Sequence, residues 1–228
     1  MRGGGDLFIT NSTVDGNVTV SGIDDGTSFV AVAFSFIGGD VTIKDNVLGG
    51  AFIAPNGAAQ SLAVNFNVVA GNIIIEGNDA AALIVAFLND ISGGIQLIEN
   101  VSDTAIVVVE NEADGDINFV RNQGDVAANV VRNETNGNIN FMQNVSGFDS
   151  VVVDNRTIGN INLTDNFAAT NVIVVGGNQA DGNIDFIGNM AGFRTASRDN
   201  VVGGNLTCFE NSPAPLVLRN TVAGNSDC

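Results

Sequence analysis

The sequence predicts an all-β chain wound as a single-domain right-handed parallel β-helix, a β-solenoid of about nine 22-residue coils spanning residues 1–228. Three observations carry this expectation. A glycine recurs at Gly16, Gly39, Gly71, Gly93, Gly115, Gly137, Gly159, Gly182, Gly204 and Gly224, and most of these steps are 22 or 23 residues. The second and fourth residues after each of the first nine glycines are apolar, as in Ile117/Phe119, Ile139/Phe141 and Ile184/Phe186, whereas the first and third are mostly polar. That alternation is the signature of a strand with one buried and one wet face. Lastly, asparagine recurs in two columns, seven residues after each glycine and four before the next.

Taken in order, each unit opens at Gly-Asn and runs into the alternating strand, whose buried β-branched and aromatic positions suit a sheet. The first asparagine column follows: Asn46, Asn78, Asn100, Asn122, Asn144, Asn166, Asn189 and Asn211. A weaker segment leads to a second strand, such as Ile106-Val107-Val108-Val109 or Val151-Val152-Val153. The second column closes the unit: Asn67, Asn89, Asn111, Asn133, Asn155, Asn178, Asn200 and Asn220. Asparagine tolerates left-handed backbone at a corner, and stacked amides can bond from coil to coil, so both columns are expected to be structural ladders. On that reading the sequons Asn100-Val101-Ser102 and Asn144-Val145-Ser146 are ladder positions before they are glycan acceptors. Parallel crossovers favour the right hand. Nine coils at about 4.8 Å each make a rod on the order of 45 Å long.

The register fails once. The 32-residue step from Gly39 to Gly71 holds about ten extra residues near Gly49–Ala59, expected to form a loop on one side of the rod. At the other end, Cys208 and Cys228 each lie four residues after a coil-opening glycine. Equivalent positions in consecutive coils stack about 4.8 Å apart, within reach of a disulfide. Such a bond would clip a C-terminal cap at about 204–228 and implies an oxidising compartment, secreted or at a cell surface. Met1–Gly5 is followed by no apolar run of signal-peptide form, so secretion would call for a leader outside this sequence.

This coil pattern resembles the pectin-lyase-like superfamily of right-handed β-helices over nearly the whole chain. The closing Gly204-Asn205-Leu206-Thr207-Cys208-Phe209-Glu210-Asn211-Ser212-Pro213, with Asn220 through Cys228, is similar to the ending of certain uncharacterised secreted bacterial proteins. The first resemblance implies a fold that hosts many functions. Its lyases use calcium-binding carboxylates with an Arg or Lys base, and its hydrolases use clustered Asp with His nearby.

Composition narrows the chemistry. The chain has no His, Trp or Tyr and a formal net charge of −17. Lack of His removes the commonest general base and transition-metal ligand. The charge repels nucleic acid, and no apolar run is long enough for a membrane span, so neither is an expected partner. The sequence assigns no catalytic residue, no metal and no cofactor. Glu110, Arg132 and Asp154 stack as acid, base, acid on successive coils, where a charge ladder is the plain reading and a lyase-like site the sharper one. Asp24-Asp25 and Asp114/Asp116 read as turn acids. An outward column of Thr19, Thr42, Ile74, Gln96, Asn118, Asn140, Asn162, Asp185 and Thr207 raises ice binding, with Thr in the minority.

In the second strand, alternation with Val107/Val109 and Val151/Val153 inward turns Ile84, Ala86, Ile106, Val108, Val130, Val152, Ile173 and Val175 outward as an aliphatic interaction face. The leading expectation is therefore a secreted, non-enzymatic structural or adhesive solenoid whose partners are further copies of itself or a surface. The alternatives are a carbohydrate-active protein, lyase-like or glycan-binding, and an ice-binding protein.

Overall fold

One coil shows how the whole chain is built. Ala105–Val109 forms a five-residue strand, Glu110 turns the backbone, and Asn111 points inward before the two-residue strand Glu112–Ala113. After the Asp114-Gly115-Asp116 turn the same sequence of events repeats. Ile117–Val120 forms a strand, Arg121 turns, Asn122 points inward, and Gln123–Gly124 makes the second short strand. The computed structural model, which describes residues 6–24, 28–48, 52–53 and 59–228, stacks about nine such coils into one parallel β-solenoid. No helix occurs among the described residues.

Each coil contributes to four sheets in turn. Sheet 1 collects the strands equivalent to Ala105–Val109, ten along the rod. Sheet 2 collects those equivalent to Glu112–Ala113, and sheet 3 those equivalent to Ile117–Val120. Sheet 4, the narrowest, collects seven equivalent to Gln123–Gly124. Coil-to-coil pairing is parallel throughout, with matched register such as Ile117↔Ile139 and Val108↔Val130. The antiparallel exception is Phe52–Ile53 against Ala59–Asn65, where the insertion leaves sheet 1 as a hairpin. The rest of the Gly49–Ala59 insertion lies outside the described residues. Where the sequence predicts one weak segment joining two strands, the coil has two short strands, so four segments rather than three.

The core is a single apolar cluster along the axis, lined by the inward residues of all four sheets, among them Ile91 and Ala113 of sheet 2 and Ala80 and Ala168 of sheet 4. Phe119 and Phe141 stack within it, ring centroids 5.0 Å apart. The polar ladders flank it. Asn111 is typical: its backbone N–H and Nδ2 both donate to Asn133 Oδ1, at 2.9 and 3.0 Å. Nδ2 also donates to the Ala86 and Val109 carbonyls, while Oδ1 accepts from the backbone N–H and Nδ2 of Asn89. Every rung except the last of each column, Asn211 and Asn220, is buried, and its amide is bonded into the ladder, as a buried amide requires. Asn100 and Asn144 are at 0% exposure, so the two sequons are rungs that no glycan-transferring enzyme can reach in the folded chain.

One expectation needs correcting. The left-handed residue at each corner is not the asparagine but the residue before it. Leu88, Glu99, Glu110, Arg121, Arg132, Gln143, Asp154 and Asp165 all have φ between 52° and 56°. These residues fall 11 apart, alternately in front of the two Asn columns. The left-handed well costs an L-residue roughly 1–2 kcal/mol, and the ladder bonds that follow hold it there. Coil-opening glycines serve a different need. Gly137 has no left-handed φ, yet a Cβ there would stand 2.7 Å from the Gly115 carbonyl carbon and 2.6 Å from the Asp116 nitrogen in the coil before. Glycine is required because the backbones touch. The next residue supplies a third ladder absent from the sequence reading: the backbone N–H of Asn160 donates to Asn138 Oδ1 at 2.9 Å, and that of Asn183 to Asn160 Oδ1 at 2.7 Å.

The predicted disulfide is present. Cys208 and Cys228 are bonded with Cα atoms 4.5 Å apart. Residues 204–228 continue the coil, with Leu206–Phe209, Leu216–Leu218, Thr221–Val222 and Ser226–Asp227 extending sheets 3, 1, 2 and 3. Arg219 adds a two-point ion pair to Asp199 in the preceding coil, at 2.6 and 2.9 Å. The hydrogen bond from Arg219, and its charge, hold the Asp199 carboxyl below its ordinary pKa.

Three outcomes follow from this construction. Asn133→Ala should lower stability by about 3 kcal/mol, because Asn111 loses the acceptor for two buried donors. Asn133→Asp should lose more at neutral pH, since a carboxylate oxygen would face the Val108 carbonyl. Urea unfolding checks both. Gly137→Ala should cost at least about 2 kcal/mol, as two of the three nearest obstructing atoms, the Asp116 nitrogen and the Gly115 carbonyl carbon, are backbone and cannot move aside. Cys228→Ser should weaken the terminal coil by about 2–4 kcal/mol, read as faster hydrogen exchange across residues 204–228 with the amides of sheet 3 at Ile139 unchanged.

Candidate interaction surface

In a solenoid the backbone is used up in coil-to-coil bonding, so any function falls to the outward side chains and to breaks in the repeat. The predicted aliphatic face has the opposite orientation. Ile84, Ala86, Ile106, Val108, Val130, Val152, Ile173 and Val175 are all at 0% exposure and belong to the core. The reason lies in the strands themselves. Sheet 1 is apolar on both faces, so alternation marks two faces without saying which is inside. The inward ladder Asn decides: residues three and five before it point inward in sheet 3 (Phe119 and Ile117 before Asn122) and likewise in sheet 1 (Val108 and Ile106 before Asn111).

The outward face of sheet 1 is consequently the companion set. Its central column runs Phe8, Ala31, Ala63, Val85, Val107, Asn129, Val151 and Val174 along the rod, and the adjoining column holds Phe87, Val109, Val131 and Val153. Val107, Val109, Val131, Val151 and Val153 are half-buried, whereas Ala31, Ala63, Val85 and Val174 of the central column are already buried within the chain. Near the first coils the surface deepens into an apolar groove floored by Ala31 and Ala33 and walled by Phe8, Phe34 and Phe66. Phe34 and Phe66 stack there at 4.8 Å, and Phe87 meets Phe66 edge-on at 5.2 Å.

One polar residue interrupts the central column. Asn129 sits between Val107 and Val151, on the sixth of the ten strands, and its Oδ1 is shielded without a hydrogen-bond partner among the described residues. The ladder asparagines, by contrast, are saturated.

Glu110, Arg132 and Asp154 stand on the convex corner beyond this face, each with left-handed φ. Arg132 Nη2 reaches Glu110 Oε1 at 2.5 Å, with Arg132 exposed and Glu110 partly so. Arg121–Glu99 and Arg156–Glu134 repeat the same cross-coil pairing elsewhere on the rod, at 2.7 and 2.6 Å. This is a solvated charge ladder, of small energetic weight. Among the described residues no group of three or more His, Cys, Asp or Glu side chains is placed to hold a metal ion. Asp24 is exposed and pairs its backbone with Val47; Asp25 lies outside the described residues.

Sheet 3 presents the other regular outward array. Asn140 Nδ2 donates to Asn118 Oδ1 at 2.8 Å, and Asn162 Nδ2 to Asn140 Oδ1 at 2.7 Å, so the middle of the Thr/Asn column is an amide ladder on the outside. Val120 and Met142 lie beside it, half-buried. On sheet 4, Val101, Val145, Phe167 and Met190 are exposed, but that column is a single residue wide and Gln123 interrupts it.

No helix among the described residues is long and apolar enough to cross a membrane. A scan against protein-family models finds no match, and neither the curated proteins nor the solved structures give a match to this chain.

Proposed function

We propose that this chain is a non-enzymatic structural or adhesive solenoid, secreted or held at a cell surface, that works by packing its outward faces against other molecules. One observation supports this above the rest: the outward face of sheet 1 carries no charged side chain in its two central columns from Phe8 and Thr10 to Val174 and Gly176, in a chain whose net charge is −17. Parallel sheets are ordinarily covered on both faces, and an apolar surface several coils long is the usual mark of an interaction site. The disulfide in the last coil favours an oxidising compartment. The coil architecture is in keeping with the pectin-lyase-like right-handed β-helices, in which the same frame serves many ends.

A second reading draws on the outer amide ladder of sheet 3. Asn118, Asn140 and Asn162 each keep donor and acceptor capacity beyond their mutual bonds, next to the apolar Val120 and Met142. Amides beside an apolar strip suit the hydroxyls and the ring faces of a glycan.

Wild-type protein, Val107→Lys and Asn140→Lys should be compared for self-association by sedimentation and for retention on apolar and glycan-coated surfaces. On the leading proposal Val107→Lys loses association or apolar retention and Asn140→Lys keeps both. Loss confined to glycan retention in Asn140→Lys would favour the second reading. Indifference of every readout to Val107→Lys would overturn the first. Appearance of unsaturated product from a uronate polymer, calcium-dependent and abolished by Arg132→Ala, would replace both with a lyase.

A further inference from the structure

We infer that residues 213–228 form an oxidation-dependent latch, a coil that closes when Cys208 and Cys228 are bridged and lifts away as one unit when a thiol reductant opens them. Closing it covers a sheet edge, and opening it bares one. The device lies in the last described coil and depends on nothing that the outer faces of the rod touch.

The seam along which this coil parts is visible in the side chains. In sheet 1 the two inward positions are aliphatic in most coils, as at Ile84/Ala86, Ile106/Val108 and Ile173/Val175. In the next coil the same two positions hold Thr195 and Ser197, both at 0% exposure. Among the described coils no other has hydroxyls at both. Thr195 Oγ1 donates to the Pro213 carbonyl at 2.5 Å, and Ser197 Oγ accepts from Asn200 Nδ2 at 3.3 Å. A buried hydroxyl ties two coils together far less than a methyl group in the same place, since water serves it as well when exposed. With the latch open, the coil below it meets water with polar groups outermost.

The coil above the seam is lightly held. Leu216, Val217 and Leu218 are 39%, 36% and 40% exposed, whereas four of the five residues in the equivalent strand Val172–Gly176 are buried. Ser226–Asp227 is an exposed two-residue strand where Leu206–Phe209 below it has four. Pro213-Ala214-Pro215 joins no sheet, and its two prolines have no N–H to donate, which makes this stretch the hinge. Against these stand the Asn220 rung, the surface ion pair of Arg219 and the disulfide, which closes a loop with a sequence separation of 20. The disulfide is the strongest single tie. Cys228 is exposed and Cys208 partly so, within reach of a small thiol.

The chemistry is thiol–disulfide exchange. A dithiol reductant passes two electrons and two protons to the Sγ–Sγ bond, which becomes two thiols, while the reductant closes to its own disulfide. A disulfide oxidant runs the exchange backwards. A chain carried from a reducing compartment to an oxidising one therefore has its latch open first and closed afterwards. While open, Arg194–Arg198 and Leu206–Phe209 present edges with which another strand can pair.

Hydrogen exchange resolved by residue in NMR tests this on the whole chain, with and without dithiothreitol. The backbone N–H of Asp199 donates to the Leu218 carbonyl at 2.9 Å, that of Asn200 to Asn220 Oδ1 at 3.0 Å, and that of Leu206 to the Asn225 carbonyl at 2.9 Å. All three donors lie below the seam and find their acceptors above it, spread along the latch. Lifting it as a unit frees them together. Reduction should speed their exchange by one common factor of about a hundred, with Ile139 and Ile184 unchanged. Fraying back from Cys228 would speed Leu206 alone, and that result overturns the latch, as does exchange that ignores the reductant. Cys208→Ser combined with Cys228→Ser should show the reduced pattern with no reductant present; a closed pattern there overturns the dependence on oxidation. Ser197→Val, which restores an aliphatic column from Val175 to Val217, should make opening of the reduced chain about tenfold rarer. An unchanged opening equilibrium in that variant overturns the seam as the place of parting.

Discussion

Backbone satisfaction at the corners is the constraint from which the rest of this structure follows. A coil that changes direction four times exposes peptide groups at each bend, and those bends are too tight for the sheets to pair across them. The inward asparagines resolve this by acting as an extra length of backbone. Asn133, for instance, accepts from the main-chain N–H of Asn111 and donates to the main-chain oxygens of Val108 and Val131. An amide is the one side chain that offers donor and acceptor on the same flat group, so identical copies can bond in series without alternating types. Once the rung is placed, the preceding residue has no freedom left, and leucine, arginine and aspartate alike are driven into the left-handed well.

The glycine and asparagine columns therefore solve different halves of one problem. Inner ladders run with the N–H of one coil reaching the amide of the next, as from Asn111 to Asn133. The outer Asn ladder after each glycine runs the other way, from Asn160 back to Asn138. With the glycines allowing main chains to touch, adjacent coils are gripped from both sides of the wall. Stability on this plan comes mostly from local, repeated coil-to-coil terms, as expected of a quasi-one-dimensional stack. The disulfide and the Arg219–Asp199 pair then strengthen the terminal coil, which has a neighbour on one side only among the described residues.

Much of this was legible from residue spacing. Glycine period, strand alternation in sheet 3, both inner ladders and the cysteine pairing all follow from it, because each places one residue type at one fixed step. What escaped was the half-period. Positions 88, 99, 110, 121, 132, 143, 154 and 165 carry Leu, Glu, Glu, Arg, Arg, Gln, Asp and Asp, so their shared left-handed conformation has no compositional trace. Yet the two asparagine columns interleave every 11 residues, and aligning the half-coils on them gives the parity of sheet 1 directly. Ile106 and Val108 then fall where Ile117 and Phe119 fall, inside. The error over the aliphatic strip came from treating sheet 1 alone, where valine occupies both faces and alternation carries no sign.

That same two-sided valine content is what gives the outer face of sheet 1 its meaning. Inward positions are apolar because the core demands it, and the ladders already guarantee that coils stack in register. Nothing in the stacking requires Val107, Val109, Val131, Val151 and Val153 to be apolar as well; Thr, Asn or Lys would pair across strands at least as well and keep the rod soluble, as they do on sheet 3 at Thr42, Asn118 and Asn140. Within one fold, then, the two long-stranded sheets face the same structural demand and differ on the outside. A difference that the fold does not require supports the proposed reading of that face as a contact surface.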